Sequence, residues 1–96
     1  MRTVEVSPRA AREIEHADDW WWKHRPKAPG AVADELRAAF ERLGAQPESA
    51  PLIASHGLRR IYLRRIRYYL YYRIRNDDVV DVLSLWHANR EKDPEL

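Results

Sequence analysis

Residues 59–75 read RRIYLRRIRYYLYYRIR. Seven arginines and all five of the chain's tyrosines fall in this stretch, with no acidic residue among them. A segment so rich in Tyr, Ile and Leu is strand material. Its alternation predicts two strands. The first, 58–65, puts Ile61 and Leu63 on one face. The second, 67–75, puts Tyr68, Leu70, Tyr72 and Ile74 on one face and Arg67, Tyr69, Tyr71, Arg73 and Arg75 on the other. Such a pair presents guanidinium groups that phosphates and carboxylates would seek.

The flanking sequence extends the sheet. Asn76-Asp77-Asp78 is a turn, and 79–86 (VVDVLSLW) is a further strand whose broken alternation predicts a central place, buried on both faces. Upstream, 46–56 carries Pro47 and Pro51 and reads as an extended loop. Before it, Val32, Leu36, Ala39, Phe40 and Leu43 recur at helical spacing, so 28–43 is predicted helical, with Pro29 near its start and Gly44 as its stop. A longer helix begins at Ser7-Pro8, with Ser as N-cap and Pro at the first helical position. It carries Ala10, Ile14, Ala17 and Trp21 on one stripe to about His24, where Arg25-Pro26 ends it. Thr3–Ser7, with Val4 and Val6 alternating, is a short strand expected beside the central one. The order is β-α-α-β-β-β: an α+β domain, one mainly antiparallel sheet with an α-hairpin on one face.

Ninety-six residues make one domain, 1–96, large enough to bury about 60–65% of the unfolded chain's surface. Residues 92–96, interrupted at Asp93-Pro94, are expected to form a flexible tail. With no cysteine there are no disulfides and no thiolate nucleophile or ligand. The histidines His16, His24 and His56 are scattered without metal-ligand spacing, so no metal and no cofactor are expected. The absence of a long apolar run and of a leader pattern points to a soluble, cytoplasmic protein with no membrane partner. Charge is uneven. Residues 1–56 hold eight Lys and Arg against nine Asp and Glu, a net of −1; residues 57–96 hold nine against six, a net of +3. Function is therefore sought in the second half.

Several features taken in order resemble the ParE/RelE superfamily, the toxic halves of type II toxin–antitoxin pairs. They are the opening strand before Ser7-Pro8-x-Ala10, the cluster Trp20–Trp22 and the Gln46-Pro47 loop. The arginine-rich pair ending Tyr71-Tyr72-Arg73 and the ending Trp86-His87-x-x-Arg90 complete the set. The resemblance covers nearly the whole chain. It implies a cognate antitoxin as partner, in a toxin–antitoxin hetero-oligomer or beside a homodimer. For ParE-like members it implies DNA gyrase as the target, inhibited by binding. For RelE-like members it implies the ribosome with its mRNA, which is cut.

Cutting RNA through its 2′-hydroxyl needs a base, a cation for the phosphate and an acid for the leaving oxygen. RelE-like enzymes resemble one another in using Lys, Arg and a late Tyr or His. Here the sheet region has arginines without lysine, and no tyrosine follows Tyr72. A ribonuclease would have to use His87 with Arg64, Arg65 and Arg73. The ending Trp86-His87-Ala88-Asn89-Arg90 is closer to the ParE-like pattern. On that side, Arg59, Arg60, Arg64, Arg65, Arg73, His87 and Arg90 are the candidate target contacts. Trp20, Trp22, Arg67 and Arg75 are the candidate antitoxin contacts. A helix turns about 100° per residue, so Trp20–Trp22 cannot all face the core; Trp21 fits the buried stripe. A ribonuclease and a non-toxic, antitoxin-binding module stay open as alternatives.

Overall fold

The computed structural model describes residues 1–53 and 57–96. Its elements are β1 (Thr3–Val6), α1 (Pro8–His24), α2 (Ala31–Ala45), a 3-10 turn (Pro47–Ser49), β2 (Leu58–Leu63), β3 (Tyr68–Ile74) and β4 (Val79–His87). The four strands form one sheet in the order β1-β4-β3-β2. β1 runs parallel to β4, and the other pairs are antiparallel. This is the expected α+β architecture, with the last strand central and the two helices over one face.

Local chemistry sets the boundaries. The Ser7 hydroxyl oxygen accepts from the Ala10 N–H at 3.0 Å and donates to the Leu83 carbonyl, so one side chain caps α1 and ties it to β4. Arg25, ahead of Pro26, closes α1 through its N–H on the Trp21 carbonyl. α2 lies two to three residues later than the periodicity predicted, because residues up to Gly30 are spent in turns. Gly44 is not its stop. The helix runs through Gly44 to Ala45, and the Arg2 N–H binds the Gly44 carbonyl at 2.9 Å. A Cβ at Gly44 would lie 3.1 Å from the Arg2 carbonyl oxygen, so glycine there admits the chain entering β1. Pro47 ends the helix instead, by forcing Gln46 out of the α region. The predicted extended loop carries the 3-10 turn and a bridge between Leu52 and Arg59, and its residues 54–56, including His56, lie outside the described residues.

The core gathers Val32, Leu36, Leu43, Leu70, Tyr72, Val80, Val82 and Leu85 between helices and sheet, with Val4, Ile14, Trp21 and Phe40 half-buried around it. β4 breaks its alternation for two reasons. It is central, and its pairing shifts between Tyr71–Ser84 and Tyr72–Val82, leaving Leu83 as a bulge. Glu13 of α1 braces this point, its carboxylate accepting from the Ser84 hydroxyl at 2.8 Å and the Leu85 N–H at 3.2 Å.

The arginine stretch differs from simple alternation in two places. Residues 64–67 form a turn, not strand: the Arg67 N–H closes on the Leu63 carbonyl at 2.8 Å, Ile66 plugs the core, and Arg67 takes a left-handed φ of 62°. Tyr71, expected on the open arginine-bearing face, is buried. Its cross-strand neighbour Arg60 lies 4.0 Å over the Tyr69 ring and donates to the Tyr71 hydroxyl at 3.1 Å. The chain's end adds to this side: Pro94 is buried, the Lys92 carbonyl accepts from the Trp86 indole at 2.8 Å, and Asp93 lies 3.8 Å from Arg60.

Candidate functional site

The C-terminal half of α1 projects His16 and Trp20 from one face, four residues apart, with Trp21 turned toward the core. Across from them are the 64–67 turn, the first residue of β3 and the end of β4. Between these parts lies a cleft of about 750 Å³ lined by His16, Trp20, Trp21, Arg25, Arg65, Ile66, Arg67, Tyr68, His87, Asn89 and Arg90. Its volume is that of ordinary ligand pockets. Four of these lining residues are arginines, two are histidines, and none is acidic.

Several of these side chains are held by their neighbours. Arg25 leaves the end of α1 and sits over the Trp20 and Trp21 rings at 5.2 and 5.9 Å. Tyr68 and His87 face each other across the β3–β4 pair, their rings edge-on at 4.9 Å. The His87 Nδ1 accepts the Asn89 N–H at 3.1 Å, so in the neutral ring the proton sits on Nε2. The Ala88 N–H binds the Arg67 carbonyl at 3.0 Å, joining the turn to the end of β4. Arg90 stacks on Trp86 at 4.0 Å. Burial pushes the Tyr68 phenol up from its ordinary range, with Arg90 pulling the other way. Tyr68 is therefore neutral at physiological pH and offers a donor, not a base.

The arginines expected to act together are divided by the fold. Arg65, Arg67 and Arg90 reach the cleft with His87, Arg65 being also 3.5 Å from Asp34. Arg64 is exposed in the same turn but is outside the lining. Arg73 is five residues along β3 from Tyr68, roughly 16 Å at ~3.3 Å per residue, so it does not share a site with His87. Arg59 donates to the carbonyls of Glu48 and Ala50, and Arg60 is occupied by Tyr69 and Tyr71. Arg75 bridges Glu5 at 3.1 Å and Asp81, partners that raise its pKa further. Trp20, 40% exposed, lines the cleft, whereas Trp22, 60% exposed, lies outside its lining. The cleft also recruits His16, Arg25, Tyr68 and Asn89, which periodicity and spacing had not joined to the candidates. The available signals were the i,i+4 pair His16 and Trp20 and the register that sets Tyr68 opposite His87. No cluster of three or more metal-ligating side chains occurs among the described residues, and none of their helices is long and apolar enough to cross a membrane.

Three comparisons bear on these features. The family model for the ParE toxin of the type II toxin–antitoxin system parDE matches residues 4–92. The structure is similar to a chain of the chromosomal ParDE toxin–antitoxin system from P. aeruginosa, with a TM-score of 0.76 and 17% identity. That likeness covers 93% of this chain and 98% of the other. No curated protein matches in sequence.

Proposed function

The chain belongs to the ParE toxin family of type II toxin–antitoxin systems, and from that premise we propose that it is a cytoplasmic toxin that inhibits DNA gyrase by direct binding and is neutralised by a cognate antitoxin. The observation that carries the binding mode is the composition of the cleft. It gathers four guanidinium groups and aromatic rings and, among its described lining residues, no carboxylate or lysine, with His16 and His87 as the titratable imidazoles. Guanidinium groups on rigid rings grip anionic surfaces without any change of protonation. Arg65, Arg67, Arg90 and His87 are the proposed target contacts. Exposed Trp20 and Trp22 fit the apolar anchors of an antitoxin segment, whose acidic residues the cleft edge would meet.

The test is a supercoiling assay with purified protein, run beside programmed ribosomes. Inhibited supercoiling with intact message supports the proposal; A-site cleavage with normal supercoiling overturns it. The second reading, ribosome-dependent mRNA cleavage, draws on one observation: His87 shares the cleft with Arg65 and Arg90.

A further inference from the structure

Among the described side chains, the cleft supplies two kinds of surface at once. Arg25, Arg65, Arg67 and Arg90 line it with positive charge that no lining residue offsets. Flat rings line it too: the half-buried Tyr68–His87 pair and, opposite, Trp20, which is 40% exposed but already carries His24 at 4.6 Å and Arg25 at 5.2 Å. Arg67 makes no ion pair among the described residues, and it is held in a left-handed conformation that a non-glycine residue adopts at a cost. Strain of this sort gathers where function needs a side chain in a particular place. The polar groups His87 Nε2 and the Tyr68 hydroxyl are both donors here, and donors are what phosphate and carboxylate oxygens accept.

We infer that the cleft binds a nucleoside 5′-phosphate, free or at the end of a single strand, with the base against the Tyr68 and His87 rings and the phosphate among Arg25, Arg67 and Arg90. Inorganic phosphate would use the arginines and leave the rings bare. An acidic peptide would pair the charges but bring no flat ring to each carboxylate. A nucleotide alone among these carries a planar face and a multivalent anion in one small molecule, and base–aromatic stacking is tolerant of sequence. The inference rests on the reading that this cleft is the functional surface, and it adds a ligand class to the proposed gyrase contact.

Calorimetric titration of the full chain compares adenosine 5′-monophosphate, adenosine, inorganic phosphate and a tryptophan-containing glutamate-rich peptide. The nucleotide should saturate, with adenosine and phosphate each at least tenfold weaker. Arg67→Glu with Arg90→Glu should weaken it at least tenfold, while Lys23→Glu, on exposed α1 surface outside the cleft, leaves it unchanged. In the unaltered chain, which removes any question of misfolding, the nucleotide should shift the indole N–H resonances of Trp20 and Trp21. No saturation at millimolar nucleotide, unshifted indoles, phosphate binding as tightly as the nucleotide, or the peptide displacing it at lower concentration would each overturn the inference. Supercoiling measured on the same preparation separates the two proposals. Nucleotide binding without gyrase inhibition removes the gyrase reading alone, and gyrase inhibition without nucleotide binding removes this one alone.

Discussion

Tyr72 carries a hydroxyl into the core and donates it to the Pro47 carbonyl at 2.6 Å, so a tyrosine in β3 fixes the 3-10 turn that follows α2. Tyr72→Phe keeps the ring but leaves that carbonyl without its donor, and should cost about 1–3 kcal/mol in urea unfolding. Burial also raises the Tyr72 phenol above the ordinary tyrosine value of 10.0. A raised folded pKa means that the folded state keeps its proton where the unfolded chain loses it. The contribution of Tyr72 is thus complete below pH 10 and declines as pH climbs from there through the folded pKa. Denaturation midpoints measured from pH 9 to 11.5 should fall, and fall less steeply in Tyr72→Phe. Arg67 provides the opposite case. Relieving roughly 1–2 kcal/mol of left-handed strain, against roughly 0.5–1 for glycine's extra chain entropy, Arg67→Gly should raise stability by up to about 1.5 kcal/mol. The same change should reduce toxicity in an induced-expression assay, since it removes a proposed contact. A variant that is both less stable and equally toxic would reduce Arg67 to a turn residue.

At the scale of elements, Ser7 couples α1 to the central strand. Ser7→Ala removes the cap and the bond to the Leu83 carbonyl together, and should cost about 1–2 kcal/mol, read as a lowered melting temperature. Those two elements also mark the limit of what the residues disclose in order. Caps, prolines and apolar stripes are local, so the span of α1, the helical nature of 31–43 and the order of the strands were legible from spacing. Gly44 has the local signature of a stop, but its reason is the Arg2 backbone, forty-two positions away in the chain. The turn at 64–67 has a local sign, since Arg65 falls on the inward face of Ile61 and Leu63 and breaks their alternation, but that Ile66 turns into the core is set by packing. Tyr71 reads as facing an open side because nothing local says that Arg60 of the neighbouring strand will reach its hydroxyl and that the ring will be buried. The cleft was the least legible feature. It draws on α1, the 64–67 turn, β3 and the end of β4, and becomes visible only when Tyr68 is set opposite His87.

On the whole molecule, the sheet separates its positive charge into two populations. At one end and on the outer face, Arg59, Arg60 and Arg75 spend their donors on carbonyls, tyrosines and carboxylates of the protein itself. Around the cleft, Arg25, Arg67 and Arg90 rest on rings or stand free of ion pairs among the described residues, with their polar edges available to a partner. Reversing charge in the second population should therefore abolish toxicity with little loss of stability, whereas Arg75→Glu, which breaks the bridge from Glu5 to Asp81, should mainly affect folding. His87 discriminates between modes of action. A toxin that works by binding requires no proton from it, so His87→Gln, similar in size and still able to accept the Asn89 N–H, should leave growth arrest and supercoiling inhibition within a few-fold of the parent. A ribonuclease would lose roughly two to four orders of magnitude of cleavage, the usual worth of a general acid or base. Combined with Arg67→Glu and Arg90→Glu on the same background, the expected pattern is toxicity that tolerates glutamine's hydrogen bonding in place of the imidazole but depends on the guanidinium groups. The reverse pattern, with message cut on the ribosome, would make the cleft an active site.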